Sequence, residues 1–261
     1  FLYFMMLSIK YNIMRQMVNK VTFITNILFM ILNNASFIVQ WLILFSIRDE
    51  IGGYTLKEVI LLWGMASGIF GISHILFYKA FEIPDLIING KLDTFLVQPK
   101  NVFLSVITSD SSISAIGDLI YAYICLTIYG ITLKNVLLFT IFLITGATIL
   151  TAFVSILGST CFWITKGDTL ADALSNVMIN FATYPDGIFK GVVKLLLFTL
   201  IPVGIINYIP VKLLTEFNIY LFLIVILVTI IFITIAFISF SLHIFIHFST
   251  CALLDTVYSL R

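Results

Sequence analysis

The chain has 261 residues, of which 61% are hydrophobic and 10% are charged. Soluble domains are roughly 45–50% apolar, so this composition excludes an ordinary soluble globular domain. Lys and Arg number 14 and Asp and Glu 13, and the resulting formal net charge of +1 points to no particular charged partner.

The first twenty residues differ from the long apolar runs that follow. Apolar side chains recur there mostly at steps of three and four residues, at Leu2, Met5, Met6, Ile9, Ile13 and Met17. Lys10 and Arg15 fall largely on another face of the implied helix. This spacing predicts an amphipathic helix over residues 1–20 that lies in the membrane interface, with its basic residues toward lipid headgroups. The alternative is a ragged N-terminal extension of the first span.

Long uncharged stretches make up most of the remaining chain. A run of about 20 apolar residues, at ~1.5 Å rise per residue, crosses the hydrocarbon core of a bilayer. By this measure the sequence predicts an all-α integral membrane protein, a single transmembrane domain over residues 1–261 with six transmembrane helices. The predicted spans are residues 22–47, 57–80, 112–133, 136–164, 193–211 and 219–247.

Polar and small residues inside these spans indicate which faces meet protein or water. Amides in lipid are costly unless they are hydrogen bonded, so Asn33 and Asn34 should face the bundle or a translocation path. Asp118 is the only Asp, Glu, Lys or Arg of the third predicted span, and it is either a pathway group or an acid that reaches interfacial water. Gly64 and Gly68 form a G-x-x-x-G pair, which is typical of close helix packing or of a subunit interface.

Residues 81–103 form a polar, punctuated stretch between two apolar runs. Pro84 suits the first turn of a helix, and Asp85 puts negative charge near the positive helix end. Gly90 permits a turn, and a second short helix follows and stops before Pro99. The sequence therefore predicts a compact knob of two short helices in this loop. The alternative is an ordinary connection between two spans, although long ordered loops are usually functional.

The stretch 195–214 contains Pro202, Gly204, Asn207 and Pro210 close together. Each interior proline removes a helix hydrogen bond and clashes with the preceding turn, so one straight helix is not expected. Irregular backbone at membrane depth is tolerated where it is buried in protein or lines a cavity. The span is therefore predicted to be broken, and a merely kinked span is the alternative.

Basic residues are distributed unequally between the two sides of a six-span arrangement. With both termini inside, ten of the 14 Lys and Arg residues lie in cytoplasmic segments, among them Lys91, Lys190 and Lys194, and four lie in outer loops. The positive-inside rule favours this orientation, with the loop 81–103 in the cytoplasm. The sequence thus predicts a multi-pass protein of the cell membrane with both termini cytoplasmic.

Three strings carry a resemblance to a known family: IRDEIGGYTLKEVILLWG (Ile47–Gly64), IINGKLDTFLVQPKN (Ile87–Asn101) and YPDGIFKGVVKLLLFTLIPVGIINYIPVKLL (Tyr184–Leu214). They resemble stretches of ABC type-2 permeases, the membrane subunits of one class of ATP-driven transporters. One branch of this family has a G-x-L-D-x-x-L-x-x-P-x-N signature in its cytoplasmic loop. The matching residues here are Gly90, Leu92, Asp93, Leu96, Pro99 and Asn101. Lys91 stands where the family often has Glu.

The resemblance implies a permease subunit of an ABC exporter, which is not itself an enzyme and takes its energy from ATP hydrolysis on a separate subunit. It implies that the loop 81–103 contains a coupling helix that docks on this ATPase. It also implies that residues 200–214 form a re-entrant outer segment before the last span, with Asn207 and Tyr208 near the exit of the substrate path. The candidate docking residues are the polar Asp85, Lys91 and Asp93 and the apolar Leu86, Leu92, Phe95 and Leu96.

The expected partners are ABC ATPase subunits, a second permease copy or a related permease, and membrane lipid, without nucleic acid. The chain has no G-x-x-x-x-G-K-[ST] phosphate loop, so ATP and Mg are expected on the partner subunit and no cofactor on this chain. Short outer loops and an apolar interior favour an amphipathic or hydrophobic substrate. Two alternatives are an intramembrane lipid-modifying enzyme, which needs clustered acids or His, and a structural or regulatory membrane subunit.

Overall fold

The computed structural model describes residues 2–164 and 166–259, and within them the chain is helical without a β-strand. The longer helices are α1 (Leu2–Gln16), α2 (Lys20–Phe45), α3 (Leu56–Phe77), α7 (Ala115–Tyr129), α8 (Leu133–Ser159), α9 (Gly167–Ala182) and α12 (Ile219–Ser259). The shorter ones are α4 (Ile83–Ile88), α5 (Asp93–Leu96), α6 (Val102–Ile107), α10 (Gly191–Thr199) and α11 (Ile209–Thr215). The chain ends Phe1 and Arg261, whose cytoplasmic side is predicted above, lie outside the described residues.

Among the described residues, four helices are long and apolar enough to cross a membrane: α2, α3, α8 and α12. They coincide with the first, second, fourth and sixth predicted spans. The third corresponds to α7, which is apolar but has 15 residues. In place of the fifth, α10 and α11 meet at an angle of 75°, so the predicted break is confirmed. The protein is an all-helical, multi-pass membrane protein.

The close approach of α3 to α7 depends on glycine. A Cβ atom on Gly64 would lie 2.5 Å from Cβ of Cys125, and one on Gly68 would lie 2.7 Å from Cβ of Ala122. Both distances are far shorter than van der Waals contact, so these positions accept no side chain without a shift of the helices. The two pairs run in opposite order along the chain, and α3 and α7 are therefore antiparallel. The close helix packing predicted from G-x-x-x-G is confirmed, and it occurs within the chain.

The main hydrophobic core lies between α3, α7 and α8, and α9 and α11 close it. Leu61, Leu62 and Met65 of α3 are fully buried there with Phe139 and Phe142 of α8. Large rings provide most of the contact area at such a helix interface. α2 lies outside this core and packs mainly along α7. One side of α2 consequently faces away from the bundle.

One end of the bundle, termed the α1 end, carries α1 together with residues 78–114. Arg15 Nη2 lies 2.8 Å from Asp110 Oδ1, and Gln16 Nε2 donates a hydrogen bond of 2.5 Å to the carbonyl of Ser111. These contacts hold α1 against the loop that precedes α7. The predicted N-terminal helix is thus present, with apolar side chains exposed along it. Its location in the membrane interface stays a prediction.

The opposite end, termed the distal end, carries residues 46–55 and 183–190. Tyr54 donates a hydrogen bond of 2.7 Å to Asp186 Oδ1, and Lys194 Nζ lies 2.7 Å from Asp186 Oδ2. These contacts join the loop after α2 to the start of α10. α3 begins and α7 ends at this same end, because the two helices are antiparallel.

α9 runs from the α1 end to the distal end. Gly167, its first residue, packs so closely on Cys161 that a Cβ would lie 2.7 Å from the thiol sulfur. Its last residue, Ala182, accepts a hydrogen bond on its carbonyl oxygen from Asn207. Two residues further on, the ring of Tyr184 meets Trp41 near the end of α2, with centroids 5.7 Å apart. The helix therefore spans the length of the bundle.

The course of α9 corrects one sequence-based assignment. Lys190 and Lys194 were predicted on the cytoplasmic side with Lys91, yet Lys194 pairs with Asp186 at the distal end. Lys190 and Lys194 therefore lie at the opposite end of the bundle from Lys91, because α9 runs between the two ends, and which end faces the cytoplasm stays a prediction. Because α9 contains acidic and amide residues, a search for uncharged apolar runs does not find it.

Gly68→Val is expected to destabilise the protein, because the new side chain collides with Ala122 and Leu143. Overpacking of this kind costs about 1–3 kcal/mol. Thermal unfolding of the purified protein in detergent should show a Tm lower by several degrees. Thr127→Val, a near-isosteric change on the exposed side of α7, is the control and should leave Tm unchanged. Equal Tm values for both variants would contradict the tight α3–α7 seam.

Candidate functional site

A cavity of about 280 Å³ lies between α2, α3 and α9. α7 and α8 each contribute one residue to its wall, Asp118 and Leu150, and the turn before α11 contributes Ile206. Its polar lining residues include Asn33, Asn34, Gln40, Ser67, Asp118 and Asn180. The cavity thus has a mixed polar and apolar lining, and α2 and α3, which supply much of it, are long and apolar enough to cross a membrane.

A buried acid with two polar neighbours lies in the wall of this cavity. The side chain of Asn34 donates a hydrogen bond of 2.5 Å to Asp118 Oδ1. Ser67 donates to the backbone carbonyl of Asp118 at 3.1 Å. Asp118 is 2% exposed, and its Oδ2 atom has no hydrogen-bond partner among the described residues. One oxygen of the carboxyl group is therefore satisfied within the protein and the other is not.

Aromatic rings form another part of the lining. Phe37 of α2 stacks on Trp63 of α3 with ring centroids 4.9 Å apart, and both residues line the cavity. Phe70 lines it as well, and its ring stacks on His74 at 3.7 Å. The lining of the cavity therefore includes aromatic rings in addition to amides and one carboxyl group.

The four residues predicted for the translocation path separate into two groups. Asn33 and Asn34 line the cavity. Asn207 is fully buried behind it, where its amide donates to the carbonyls of Leu62 and Ala182. Tyr208 is also buried there and donates a hydrogen bond of 2.6 Å to the carbonyl of Phe181. In this conformation Asn207 and Tyr208 join the turn before α11 to α9 and do not face the cavity.

Two exposed polar faces flank the cavity. On α9 this face consists of Thr169, Asp172, Asn176 and Asn180, spaced three and four residues apart. On α2 it includes Asn26, Asn33 and Gln40, spaced seven residues apart. Residues at these spacings share one side of a helix. Both helices thus present hydrogen-bonding groups outside the packed core.

The knob predicted in residues 81–103 is present as α4 and α5. Gly90 provides the turn between them with a φ of +65°, a conformation that glycine adopts readily. Asp85, Lys91 and Asp93 are exposed, as is Pro99. These are the polar and turn residues that the sequence predicted for the surface of the knob.

The predicted apolar docking residues differ in burial. Leu86 and Leu92 are 5% and 4% exposed and belong to a second small core with Ile83 and Phe103. Phe95 and Leu96 are half-buried, whereas Val97 is 84% exposed. Leu86 and Leu92 therefore hold the knob to the rest of the chain. The knob exposes the apolar side chain of Val97 to its surroundings.

The cluster of Tyr54, Asp186 and Lys194 at the distal end was not identified from the sequence. Burial raises the pKa of the Tyr54 phenol, and its hydrogen bond to the Asp186 carboxylate raises it further. Asp186 lies in the string YPDG, so the family resemblance was the one available signal. The cluster fastens the loop after α2 to the start of α10.

The alternative of an intramembrane enzyme requires clustered acids or histidines. Within the described residues, no group of three or more His, Cys, Asp or Glu side chains could hold a metal ion. His243 is engaged with the carbonyl of Ser159 at 3.0 Å, and Cys125 and Cys161 are buried. The described residues therefore offer no metal centre of that kind.

Comparison with known proteins gives one match. The family model described as "ABC-2 family transporter protein" matches residues 8–247. No curated protein and no solved structure matches the chain.

Asn34→Ala is expected to destabilise the protein by about 1–3 kcal/mol, because it leaves a buried carboxyl oxygen of Asp118 without its donor. Asn33→Ala is a matched control at the neighbouring position, where the amide is exposed. Thermal unfolding in detergent should separate the two variants, with a lower Tm for Asn34→Ala alone. If Asn33→Ala lowers Tm as much, the buried Asn34–Asp118 contact does not have the importance assigned to it.

Proposed function

The chain belongs to the ABC-2 family of transporter proteins, and on this premise we propose that it is a permease subunit whose transport is powered by a separate ATP-hydrolysing subunit. The proposed cargo is amphipathic or hydrophobic, in keeping with the mixed lining of the cavity. The chain contains no phosphate loop of the G-x-x-x-x-G-K-[ST] type, which supports binding of ATP and Mg by the partner.

The observation that carries this proposal is the pair of polar faces on α2 and α9. Lipid offers no hydrogen-bond partners, so Asn and Asp side chains at membrane depth face protein or a water-filled path. Asn176 and Asn180 of α9 and Asn33 of α2 are exposed in the single chain. A second permease, either identical or related, that faces this side would enclose the path and shield these groups from lipid.

We assign six membrane crossings to α2, α3, α7, α8, α9 and α12. The contacts of α9 with Cys161 at one end and with Asn207 near the other support its place in this set. α9 has 16 residues, and at ~1.5 Å per residue it is about 24 Å long, which a short flanking turn extends across the hydrocarbon core. This assignment replaces the span predicted over residues 193–211.

The pair α10 and α11 is then a re-entrant hairpin that starts and ends at the distal end. Lys194 of α10 pairs with Asp186 there, and Phe217, just after α11, lies under Lys134 at the start of α8. A Cβ on Gly146 of α8 would lie 3.4 Å from the carbonyl oxygen of Ile206. Gly146 is 13 residues from the start of α8, about 20 Å at ~1.5 Å per residue, so the hairpin reaches roughly half of the bundle.

We propose that the α1 end faces the cytoplasm. With Lys190 and Lys194 moved to the distal end, the described basic residues divide seven to six in favour of the α1 end. Those at the α1 end are Lys10, Arg15, Lys20, Lys79, Lys91, Lys100 and Lys166, and those at the distal end are Arg48, Lys57, Lys134, Lys190, Lys194 and Lys212. The charge difference is small, so the orientation depends mainly on the family resemblance of the loop 81–103.

The knob formed by α4 and α5 is the proposed coupling element. Asp85, Lys91 and Asp93 are exposed and available to a partner, and Val97 adds an exposed apolar contact. Leu86 and Leu92, with the turn at Gly90 and the stop at Pro99, position these residues. Such an arrangement transmits force because its contact residues are anchored in the core of the permease.

The double variant Asp85→Lys plus Asp93→Lys tests the coupling element. Both carboxylates are exposed, so charge reversal should leave the fold intact but oppose docking. Affinity purification of the tagged permease from its own cell should lose the co-purifying ATPase by about tenfold or more, measured by mass spectrometry and Mg-ATP hydrolysis.

The matched control reverses two exposed acids at the distal end, Asp49→Lys plus Glu50→Lys, and should retain the ATPase. Equal recovery with both double variants would contradict the proposed docking site. Absence of any ATPase with the wild-type permease would contradict the motor-driven function itself.

The second permease can be detected by cross-linking through α9. In a variant without its native cysteines, Asn176→Cys should form a covalent dimer with a short bismaleimide in native membranes, because the polar face of α9 meets its counterpart across the path. Thr127→Cys, on the exposed side of α7, is the control and should stay monomeric. A monomer with Asn176→Cys, and no adduct to a related permease, would contradict the shared path.

A further inference from the structure

We propose that the cavity between α2, α3 and α9 binds a cationic group of the transported substrate, and that the carboxylate of Asp118 recognises this group. The inference rests on the proposed transport function, and it adds the chemical class of the cargo: an organic cation with an apolar body. Asp118 is thereby a specificity-determining residue of the permease.

The cavity lining contains one acidic side chain and no basic one. Asp118 is 2% exposed and lines the cavity, and its Oδ2 atom has no hydrogen-bond partner among the described residues. The lining residues include no Lys, Arg or His. A buried carboxylate is costly unless a cation or several donors compensate it. The side chains of this wall supply donors to Oδ1 but no counter-charge, so a cation from the ligand completes the site.

Hydrogen bonds to neighbouring helices hold Asp118 in a fixed position. Asn34 donates to Oδ1 at 2.5 Å, and Ser67 donates to the Asp118 carbonyl at 3.1 Å. Asp118 lies in the first turn of α7, where the helix dipole favours negative charge. A carboxylate that is already fixed in position loses little further conformational entropy when it binds a cation. The negative charge of this carboxylate, in the wall of the cavity, is consequently the feature that attracts the cation.

The aromatic lining of the cavity favours an organic cation over a metal ion. Phe37, Trp63 and Phe70 line the same cavity, and ring faces attract alkylated ammonium and phosphonium groups. A hard metal ion requires several oxygen ligands in a close shell. Within the described residues, no group of three or more His, Cys, Asp or Glu side chains is arranged to hold a metal ion. The combination of one carboxylate with several rings therefore favours a lipophilic organic cation.

The apolar part of the substrate has its own surface in the cavity. Met30, Leu150, Met178 and Ile206 line it beside the rings. A ligand with a cationic head and an apolar body would contact both parts of the lining at once. Flexible methionine side chains adapt to bodies of different shape.

Binding of tetraphenylphosphonium to the purified permease tests this inference without the ATPase. Equilibrium dialysis in detergent should detect saturable binding of the cation, whereas tetraphenylborate, an anion of the same shape, should not bind saturably. Asp118→Asn keeps the shape and the acceptor for Asn34 but removes the charge. It should weaken tetraphenylphosphonium binding by about tenfold or more, since a desolvated charge pair is lost.

Asp49→Asn removes one negative charge from the exposed loop at the distal end and should leave binding unchanged. Equal affinities of wild type and a folded Asp118→Asn variant would overturn the inference, as would equal binding of the anion. If Asp118→Asn does not fold, the wild-type protein provides the test. A hydrophobic carbodiimide should modify Asp118, and tetraphenylphosphonium should slow this modification, as followed by peptide mass spectrometry. Unchanged modification would again overturn the inference.

These outcomes are separate from those for the proposed function. Absence of cation binding by a permease that still recovers its ATPase would reject the substrate class and leave ATP-driven transport in place. Cation binding by a permease that recovers no ATPase would support the site and reject the motor-driven reading.

Discussion

The membrane interior offers no hydrogen-bond partners, and this constraint governs the arrangement of polar groups in the protein. The amide nitrogen of Asn207 satisfies it by donating to the carbonyls of Leu62 and Ala182, and the Tyr208 hydroxyl satisfies it by donating to that of Phe181. The exposed amides of α2 and α9 do not meet it within one chain. In the proposed arrangement a second permease shields them from lipid, so this proposal follows from the same constraint that ties the turn before α11 to α9.

The close seam between α3 and α7 gives the bundle its asymmetry. Gly64 and Gly68 allow the two backbones to approach, and α8 covers the pair on one side. α2 packs on the far side of α7 and leaves a gap to α9, which the cavity occupies. The seam between α3 and α7 is therefore closely packed, whereas the boundary between α2 and α9 contains the cavity.

Much of this architecture could be predicted from the sequence, and the exceptions share a physical cause. Long uncharged runs identified α2, α3, α8 and α12, and Pro202 with Pro210 identified the bend. α9 was missed because polar residues such as Asp172 and Asn176 interrupt its apolar pattern. The burial of individual side chains could not be predicted either. Leu86 and Val97 are both apolar residues of the same loop, yet Leu86 packs inside the chain and Val97 is exposed.

The proposed arrangement of six membrane crossings depends most directly on α9 crossing the membrane. Cysteine accessibility in intact cells tests whether α9 crosses. In a variant without native cysteines, Lys190→Cys marks the segment after α9 and Lys20→Cys marks the first residue of α2. The account predicts that a membrane-impermeant maleimide labels Lys190→Cys in intact cells and labels Lys20→Cys only after permeabilisation. Labelling of both from the same side would contradict it, because α9 would then not cross, and the hairpin of α10 and α11 would have to be the fifth span.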